Sequence, residues 1–288
     1  MRLGITGATG FIGARAAQLA GERGWEVVPF SRHPPSPRER LFSFDQPLDV
    51  DGLEAVLHLA GEPVVGLWTK SKRERIRQSR VLGTRRVVEG FARAKNPPRV
   101  LVSGSAIGFY GDTGDREVTE QSPAGHGFLA GVCRAWEGEA EKTAGARVVL
   151  LRTGFVLGRD GGAMKKILPV FRAGLGGPLG SGRQWMSCVH VDDVAGMALW
   201  AAENESIRGP LNAVMPTPVT NAEFTRTLGA VVRRPAVLPV PAFLLRILLG
   251  KLSSLLLDSS RVRPAVAEAA GYRFAFADVR SALAAVAG

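Results

Sequence analysis

The chain has 288 residues, 45% of them hydrophobic and 22% charged, an ordinary globular balance that suits one large α/β domain plus a smaller lobe. Its two cysteines exclude a disulfide framework and make a reducing, cytoplasmic setting the expectation. The net charge of +11 points to anionic ligands rather than nucleic acid, because the basic residues are dispersed along the chain.

The chain opens Met1-Arg2-Leu3-Gly4-Ile5-Thr6-Gly7-Ala8-Thr9-Gly10-Phe11-Ile12-Gly13, a short apolar run followed by glycines in G-x-x-G-x-x-G spacing. An alanine-rich stretch from Ala14 to Ala20 then reads as helix. Strand, glycine turn and helix in that order bring a pyrophosphate onto a helix N-terminus. Gly7 permits the tight turn, Gly10 lets the backbone approach the phosphates, and Gly13 lets the helix pack close on the strand. With a strand starting at Arg2, no signal peptide is expected before it.

Trp25 to Phe30 reads as a second strand. In a dinucleotide fold the residue at its C-terminal end selects the ribose: a carboxylate accepts from the 2′-hydroxyl of NAD, whereas a guanidinium holds the 2′-phosphate of NADP. Ser31 and Arg32 stand there with no carboxylate, so NADP(H) is the expected cofactor, and Arg15 would add to the positive field. Pro34, Pro35 and Pro37 make a stiff surface loop. Leu41 to Phe44 is a third strand ending at Asp45, whose carboxylate would face the adenine. Leu53 to Leu59 is an almost continuous apolar run, suited to a central parallel strand, with His58 as a packed core residue.

Lys70 to Arg86 is strongly basic, with Ile76, Val87 and Phe91, and Leu82 or Val81 between them, near helical spacing. Its charge reads as a solvated face; nucleic-acid binding would want interleaved aromatics, which it lacks. Arg99 to Val102 is a fifth strand, and the run from Ser103 to Asp112 sets small hydroxylated residues at its C-terminal end, beside a ligand crevice. Phe128, Leu129, Val132, Cys133, Trp136 and Ala140 mark one stripe of the next helix, and Arg147 to Leu151 is a sixth strand.

Past Arg152, glycines from Gly154 to Gly182 break the chain into loops of the kind where a substrate lobe is inserted. Val191 to Ala202 returns to helix, Leu211 to Val214 to strand, and Thr220 with Glu223 forms a capping box that opens another helix. His190, Asp192 and Asp193 fall short of metal-ligand spacing; a cap by Asp192 or Asp193 accounts for them, and no metal is expected. Val237 to Leu257 is apolar, but Pro239, Pro241, Arg246 and Lys251 make it a poor membrane span. Its part from Phe243 to Leu257 reads as a helix that packs on its own lobe or on a second subunit of a homodimer.

Three runs together, Thr6 to Gly13, Leu57-His58-Leu59-Ala60-Gly61 and Val189-His190-Val191-Asp192-Asp193-Val194, resemble the extended short-chain dehydrogenase/reductases, the nucleotide-sugar epimerase-like enzymes. Ala60 to Pro63, Ser79 to Thr84, Ser105 to Asp112 and Gly180 to Trp185 are similar to the atypical "epimerase family protein" branch. The tail from about Leu211, with Gly271-Tyr272-Arg273-Phe274, resembles that branch's C-terminal domain of unknown function. The resemblance implies an α/β fold: a Rossmann-type doubly wound parallel sheet with a smaller C-terminal α/β lobe. Residues 1–155 would form the NADP-binding domain, with a returning helix and strand near 189–214, and 156–288 mainly the substrate lobe. By position, Gly7, Thr9, Gly10, Phe11 and Ile12 should meet the pyrophosphate. Ser31 and Arg32 should take the adenosine phosphate. Leu59, Ala60 and Gly61 should flank the ribose and nicotinamide, and Ser103 or Ser105 should line the reactive end.

The chain departs from this family at its chemistry. Ordinary members use a Tyr-x-x-x-Lys pair, the tyrosine as acid/base and the lysine lowering its pKa. This chain has two tyrosines; Tyr110 is followed four residues on by Gly114, and Tyr272 by Phe276. The family's asparagine falls on Arg80, which either holds a cofactor phosphate or an acidic substrate group, or is an exposed helix arginine. Candidates for the displaced proton transfer are Ser105, Tyr110, Cys133, Glu137 and Glu141. Of these Cys133 reads as a packing thiol, while Glu137 and Glu141 read as a solvated face. The expected function is an NADP(H)-binding oxidoreductase or epimerase-like protein acting on a small polar substrate. The alternative is a non-catalytic NADP(H)-binding redox sensor or scaffold.

Overall fold

The computed structural model describes residues 1–32 and 39–288, so the loop expected at Pro34, Pro35 and Pro37 lies outside the described residues. Along the chain run β1 (Arg2–Thr6), α1 (Phe11–Glu22), β2 (Glu26–Ser31), β3 (Arg40–Leu41), β4 (Ala55–His58), α2 (Lys70–Arg93), β5 (Val100–Ala106) and β6 (Glu117–Val118). Then come α3 (Phe128–Ala140), β7 (Arg147–Thr153), β8 (Phe155–Leu157), α4 (Met164–Arg172), β9 (Trp185–Met186), β10 (Cys188–His190), α5 (Val191–Glu203) and β11 (Gly209–Ala213). The tail holds β12 (Val219–Thr220), α6 (Asn221–Val231), α7 (Ala242–Leu249), α8 (Ser254–Leu257), β13 (Arg261–Val262), α9 (Ala265–Ala269) and α10 (Val279–Ala287).

The central sheet runs β11-β7-β5-β4-β1-β2-β3, every pairing parallel. The strand order leaves β1 in opposite directions, through β2 on one side and β4 on the other, and such a reversal opens a crevice beyond the strands' C-terminal ends. Alternation along the strands divides the core into two layers. Leu3, Ile5, Leu57, Val102, Val149 and Leu151 bury against α1 and α5. Val56, Leu101 and Leu150 bury against α2 and α3 through Val87, Phe91 and Ala140. All four residues of β4 are buried, as its apolar run anticipated. A third cluster under the tail joins Met164, Leu168 and Phe171 of α4 to Phe224 and Leu228 of α6 and Leu283 and Val286 of α10.

Four expectations change. The third strand is two residues, Arg40–Leu41, and stops short of Phe44. In α2 the buried stripe runs Ile76, Gly83, Thr84, Val87, Gly90 and Phe91, so small residues rather than Leu82 or Val81 fill its middle. The glycine-dense region after Arg152 contains β8 and α4. Phe243 to Leu257 is not one helix: α7 ends at Gly250, in a left-handed conformation that suits glycine, and α8 follows after a 3₁₀ turn. On α7, Leu245 is buried while Phe243 and Ile247 are 64% and 74% exposed. Thr220 and Glu223 do form the capping box of α6. No helix among the described residues is long and apolar enough to cross a membrane.

Candidate functional site

The β1–α1 turn is built from backbone. Gly7 adopts φ +73°, the left-handed region, and its carbonyl accepts from the Gly10 amide at 2.9 Å. A Cβ on Gly13 would come 2.1 Å from that same carbonyl, so only glycine lets α1 sit on the turn. A Cβ on Gly10 would touch nothing but the Gly7 carbonyl, so the space above is open. The N-cap of α1 is Gly10, with no capping side chain and no acid in the first turn. Its leading amides and positive dipole end are therefore left for an anion. Thr9 and Gly10 are exposed, and Ile12 is half-buried.

The Phe11 side chain does a different job from its amide. A Cβ on Gly158 or Gly161 would fall 2.5 or 2.2 Å from its ring, so the loop after β8 is glycine-rich to seat Phe11. Part of the glycine signal first read as a lobe insertion belongs to this packing.

At the end of β2 the Ser31 carbonyl accepts from Phe42, and Arg32 is exposed. Arg15 does not add to a free field: its Nε donates to Asp192 at 2.6 Å. The cap of α5 is His190, not an aspartate, its Nδ1 accepting from the Asp192 amide. Asp193 is buried and accepts from the amides of Ala275 and Phe276, tying the tail to α5. Among the described residues no cluster of His, Cys, Asp and Glu is arranged to hold a metal.

The β4 turn is pinned from beneath. Thr6 Oγ1 accepts the amides of Leu59 and Ala60, so its own proton goes to His58 Nδ1, 2.7 Å away. His58 has no solvent exposure; burial, with Arg80 nearby, lowers its pKa to about 4 and keeps it neutral. Leu59 and Ala60 lie directly against Gly7, with the Ala60 nitrogen 3.0 Å from where a Gly7 Cβ would stand.

Gly61 leads to Arg80. The Arg80 Nη1 donates to the Glu62 and Ile76 carbonyls at 2.9 and 3.2 Å, and its Cζ lies 5.0 Å from the Trp136 ring centroid. Arg80 is half-buried, so it is not an exposed helix arginine. The Glu62 carboxylate turns instead to Lys72 at 2.7 Å and Arg75 at 3.6 Å.

Of the two serines, Ser103 is fully buried, and Ser105 lies nearer the strand's C-terminal end. Ser105 Oγ donates to Glu137 at 2.5 Å, and Glu137 forms a two-point pair with Arg152: Nε to Oε1 at 2.9 Å and Nη2 to Oε2 at 2.7 Å. Glu137 is thus no solvated face; it is 5% exposed and Arg152 is 3% exposed. Arg152 Nη1 donates to the Tyr110 hydroxyl, which donates onward to Asn212 Oδ1. Burial raises the Tyr110 pKa and pushes the Cys133 thiol up to about 11. Tyr272 is committed elsewhere, donating to the Asp193 carbonyl. Leu129, Cys133 and Glu137 recur every fourth residue, and a Cβ on Gly108 would meet Leu129 and Cys133, so this face of α3 meets the serine loop.

Sequence reasoning set Glu137 aside as solvated and missed Arg152, its buried partner. The signal was there: a lone arginine ends the apolar run Val-Val-Leu-Leu in β7, and a buried guanidinium calls for a buried carboxylate.

Residues 3–213 match the NAD dependent epimerase/dehydratase family, and residues 240–286 match a domain of unknown function, DUF1731. The chain belongs to the NAD dependent epimerase/dehydratase family. Within this family it is 39% identical to the chloroplastic epimerase family protein SDR39U1 homolog of Arabidopsis thaliana, over 99% of this chain and 86% of the relative. Identity to epimerase family protein YfhF of Bacillus subtilis is 34%, over 98% and 97% of the two chains. The crystal structure of human epimerase family protein SDR39U1 with NADPH superposes with a TM-score of 0.95 at 34% identity, covering 100% of this chain and 99% of that one. The Rossmann-type sheet and the epimerase-family resemblance both stand.

Proposed function

We propose that this protein binds NADP(H) across the C-terminal ends of β1, β4 and β5 and exchanges hydride with a small polar substrate, its proton handled by Ser105. The observation that carries this reading is the uncapped N-terminus of α1 above a glycine turn, with open space over Gly10 and no acid in the first turn. These residues fit a pyrophosphate: backbone amides and a positive helix end would hold it, and no side chain occupies the cradle. Ser31 and the exposed Arg32 stand where a 2′-phosphate would be held. The NADPH in the structure of the human relative supports the phosphorylated cofactor.

The nicotinamide, when bound, supplies or accepts the hydride. Thr6 and His58 fix the Leu59–Ala60 turn that would flank its ribose. Ser105 donates its proton to Glu137, which leaves its oxygen lone pairs to accept from a substrate hydroxyl. As that hydroxyl gives up its proton to Oγ, the Ser105 proton passes to Glu137. Arg152 holds the carboxylate in position through both of its oxygens. A serine paired with a base in this way replaces the absent phenol and ammonium. Tyr110, with its hydroxyl engaged by Arg152 and Asn212, and Cys133, with its raised pKa, are left to structural roles.

NADPH oxidation by the purified chain over a panel of carbonyl compounds and nucleotide sugars tests this reading. Turnover with at least one compound, lowered roughly 10²-fold or more by Ser105→Ala, is the expected result. The engagement of both tyrosine hydroxyls by other groups, Tyr110 by Asn212 and half-buried Tyr272 by the Asp193 carbonyl, favours a second reading, a non-catalytic NADP(H)-binding sensor. Tight NADPH binding with no turnover across the panel would select it.

A further inference from the structure

Arg147 and Arg152 are drawn into this fold with their terminal donors committed, whereas Arg73, Arg261 and Arg263 each keep a buried Nε without a hydrogen-bond partner. Arg147 gives three hydrogen bonds from Nη1 and Nη2 to carbonyls at the C-terminal end of α5 and at Ile207. Arg152 uses its Nε/Nη2 edge on both oxygens of Glu137. Arg85, on the exposed side of α2, does the same with Glu139, at 3.0 and 3.4 Å. Arg80 differs. Its Nη1 is taken by two carbonyls, but among the described residues neither Nε nor Nη2 has a hydrogen-bond acceptor, and no carboxylate lies within ion-pair distance.

The surroundings offer no substitute anion. Glu62 is claimed by Lys72 and Arg75. His58 is neutral, and Cys133 is held as a thiol. The Trp136 ring stacks near the guanidinium. Gly61 leaves the group uncovered: a Cβ there would lie 3.3 to 3.5 Å from Cζ, Nη1 and Nη2. Gly61 is not in a left-handed conformation, so the missing side chain serves space rather than backbone geometry. Neither Nε nor Nη2 is among the atoms sealed from solvent, so the free edge stays open to a ligand, and it is the edge whose two parallel N–H groups match a carboxylate.

We propose that Arg80 is the anion receptor of the substrate site, its free Nε/Nη2 edge taking a carboxylate of the substrate in a two-point hydrogen bond. The assignment rests on the nucleotide crevice proposed above, because the Leu59–Ala60–Gly61 turn that leads to Arg80 is the one that would flank the nicotinamide. It narrows the substrate class to small carboxylic acids carrying a hydroxyl or carbonyl within reach of Ser105.

Calorimetry on the full chain, saturated with NADPH, decides it with matched probes: pyruvate, benzoate and succinate against pyruvamide, benzamide and succinamide, with inorganic phosphate as a separate arm. At least one acid should bind tenfold or more tighter than its amide. Arg80→Gln should abolish that preference, and Arg80→Lys, which keeps the charge but not the fork, should reduce it at least fivefold. Both variants should retain NADPH affinity within twofold and a cooperative thermal transition. Equal binding of acids and amides by the unmodified chain overturns the proposal without needing any variant. Phosphate binding more tightly than every acid overturns the carboxylate, and an NADPH affinity that falls with Arg80→Lys overturns the substrate role in favour of a cofactor contact. A chain that takes up NADPH but ignores the acids refutes this inference alone; one that fails to take up NADPH refutes the nucleotide reading and this inference with it.

Discussion

The two ends of the crevice are built from different materials. At the cradle, Gly7, Gly10 and Gly13 leave the work to backbone amides and a helix end, and removing side chains creates the site. At the α3 end stand side-chain charges: the buried pair of Arg152 with Glu137, and the half-buried Arg80 with its Nε/Nη2 edge open. A backbone site depends on spacing and tolerates most of its surroundings. A side-chain site depends on partners far apart in sequence, such as Ser105, Glu137 and Arg152, and it can be rewritten while the sheet stays the same.

Breaking the closed pair should have the largest effect. Glu137→Gln leaves the Arg152 guanidinium buried without its counter-charge and should cost about 3–5 kcal/mol in urea unfolding. A loss below about 1 kcal/mol would mean that Arg152 finds another partner. Next comes His58, beneath the turn that joins the two ends. Its folded pKa of about 4 lies below the ordinary 6.5, so the unfolded chain takes up a proton that the folded chain refuses. Stability is therefore full above pH 6.5 and falls as pH drops toward 4, by about 3 kcal/mol in all. Thermal melts across that range should show a flatter profile for His58→Asn than for the unmodified chain, and identical slopes would remove His58 as the cause.

At the cradle end, Arg32→Ala should weaken NADPH binding by about 1.5–3 kcal/mol, a roughly 10- to 150-fold change, and leave NADH binding as it was. The smallest change lies outside the crevice. Thr220→Ala removes the cap of α6 and should lower stability by about 1 kcal/mol with no effect on nucleotide affinity. An altered NADPH affinity there would show that the tail is coupled to the cradle.

The same contrast decides what could be read from the sequence. The sheet, α1, α3 and the capping box were legible because local spacing dictates them: glycines every third residue, apolar residues at three and four, Thr220 three before Glu223. Glu137 was misread because its helix position borders the polar face, and only its contact with Arg152 of β7 reveals it as interior. Asp192 and Asp193 were misread as caps because the decisive partners, Arg15 and the Ala275 and Phe276 amides, come from distant elements. Leu41 to Phe44 has a strand's composition, but its parallel ladder with β2 covers only Arg40 and Leu41. Arg80 was visible as a substitution, yet its free edge could be seen only once the Glu62 and Ile76 carbonyls were found on Nη1.

A fluorescence titration of the purified chain with NADPH and with NADH tests the nucleotide crevice most directly. Saturable binding of NADPH, at least tenfold tighter than NADH, is the expected result. Failure to bind either nucleotide at millimolar concentration would contradict the crevice itself, and tighter binding of NADH would contradict the role given to Arg32.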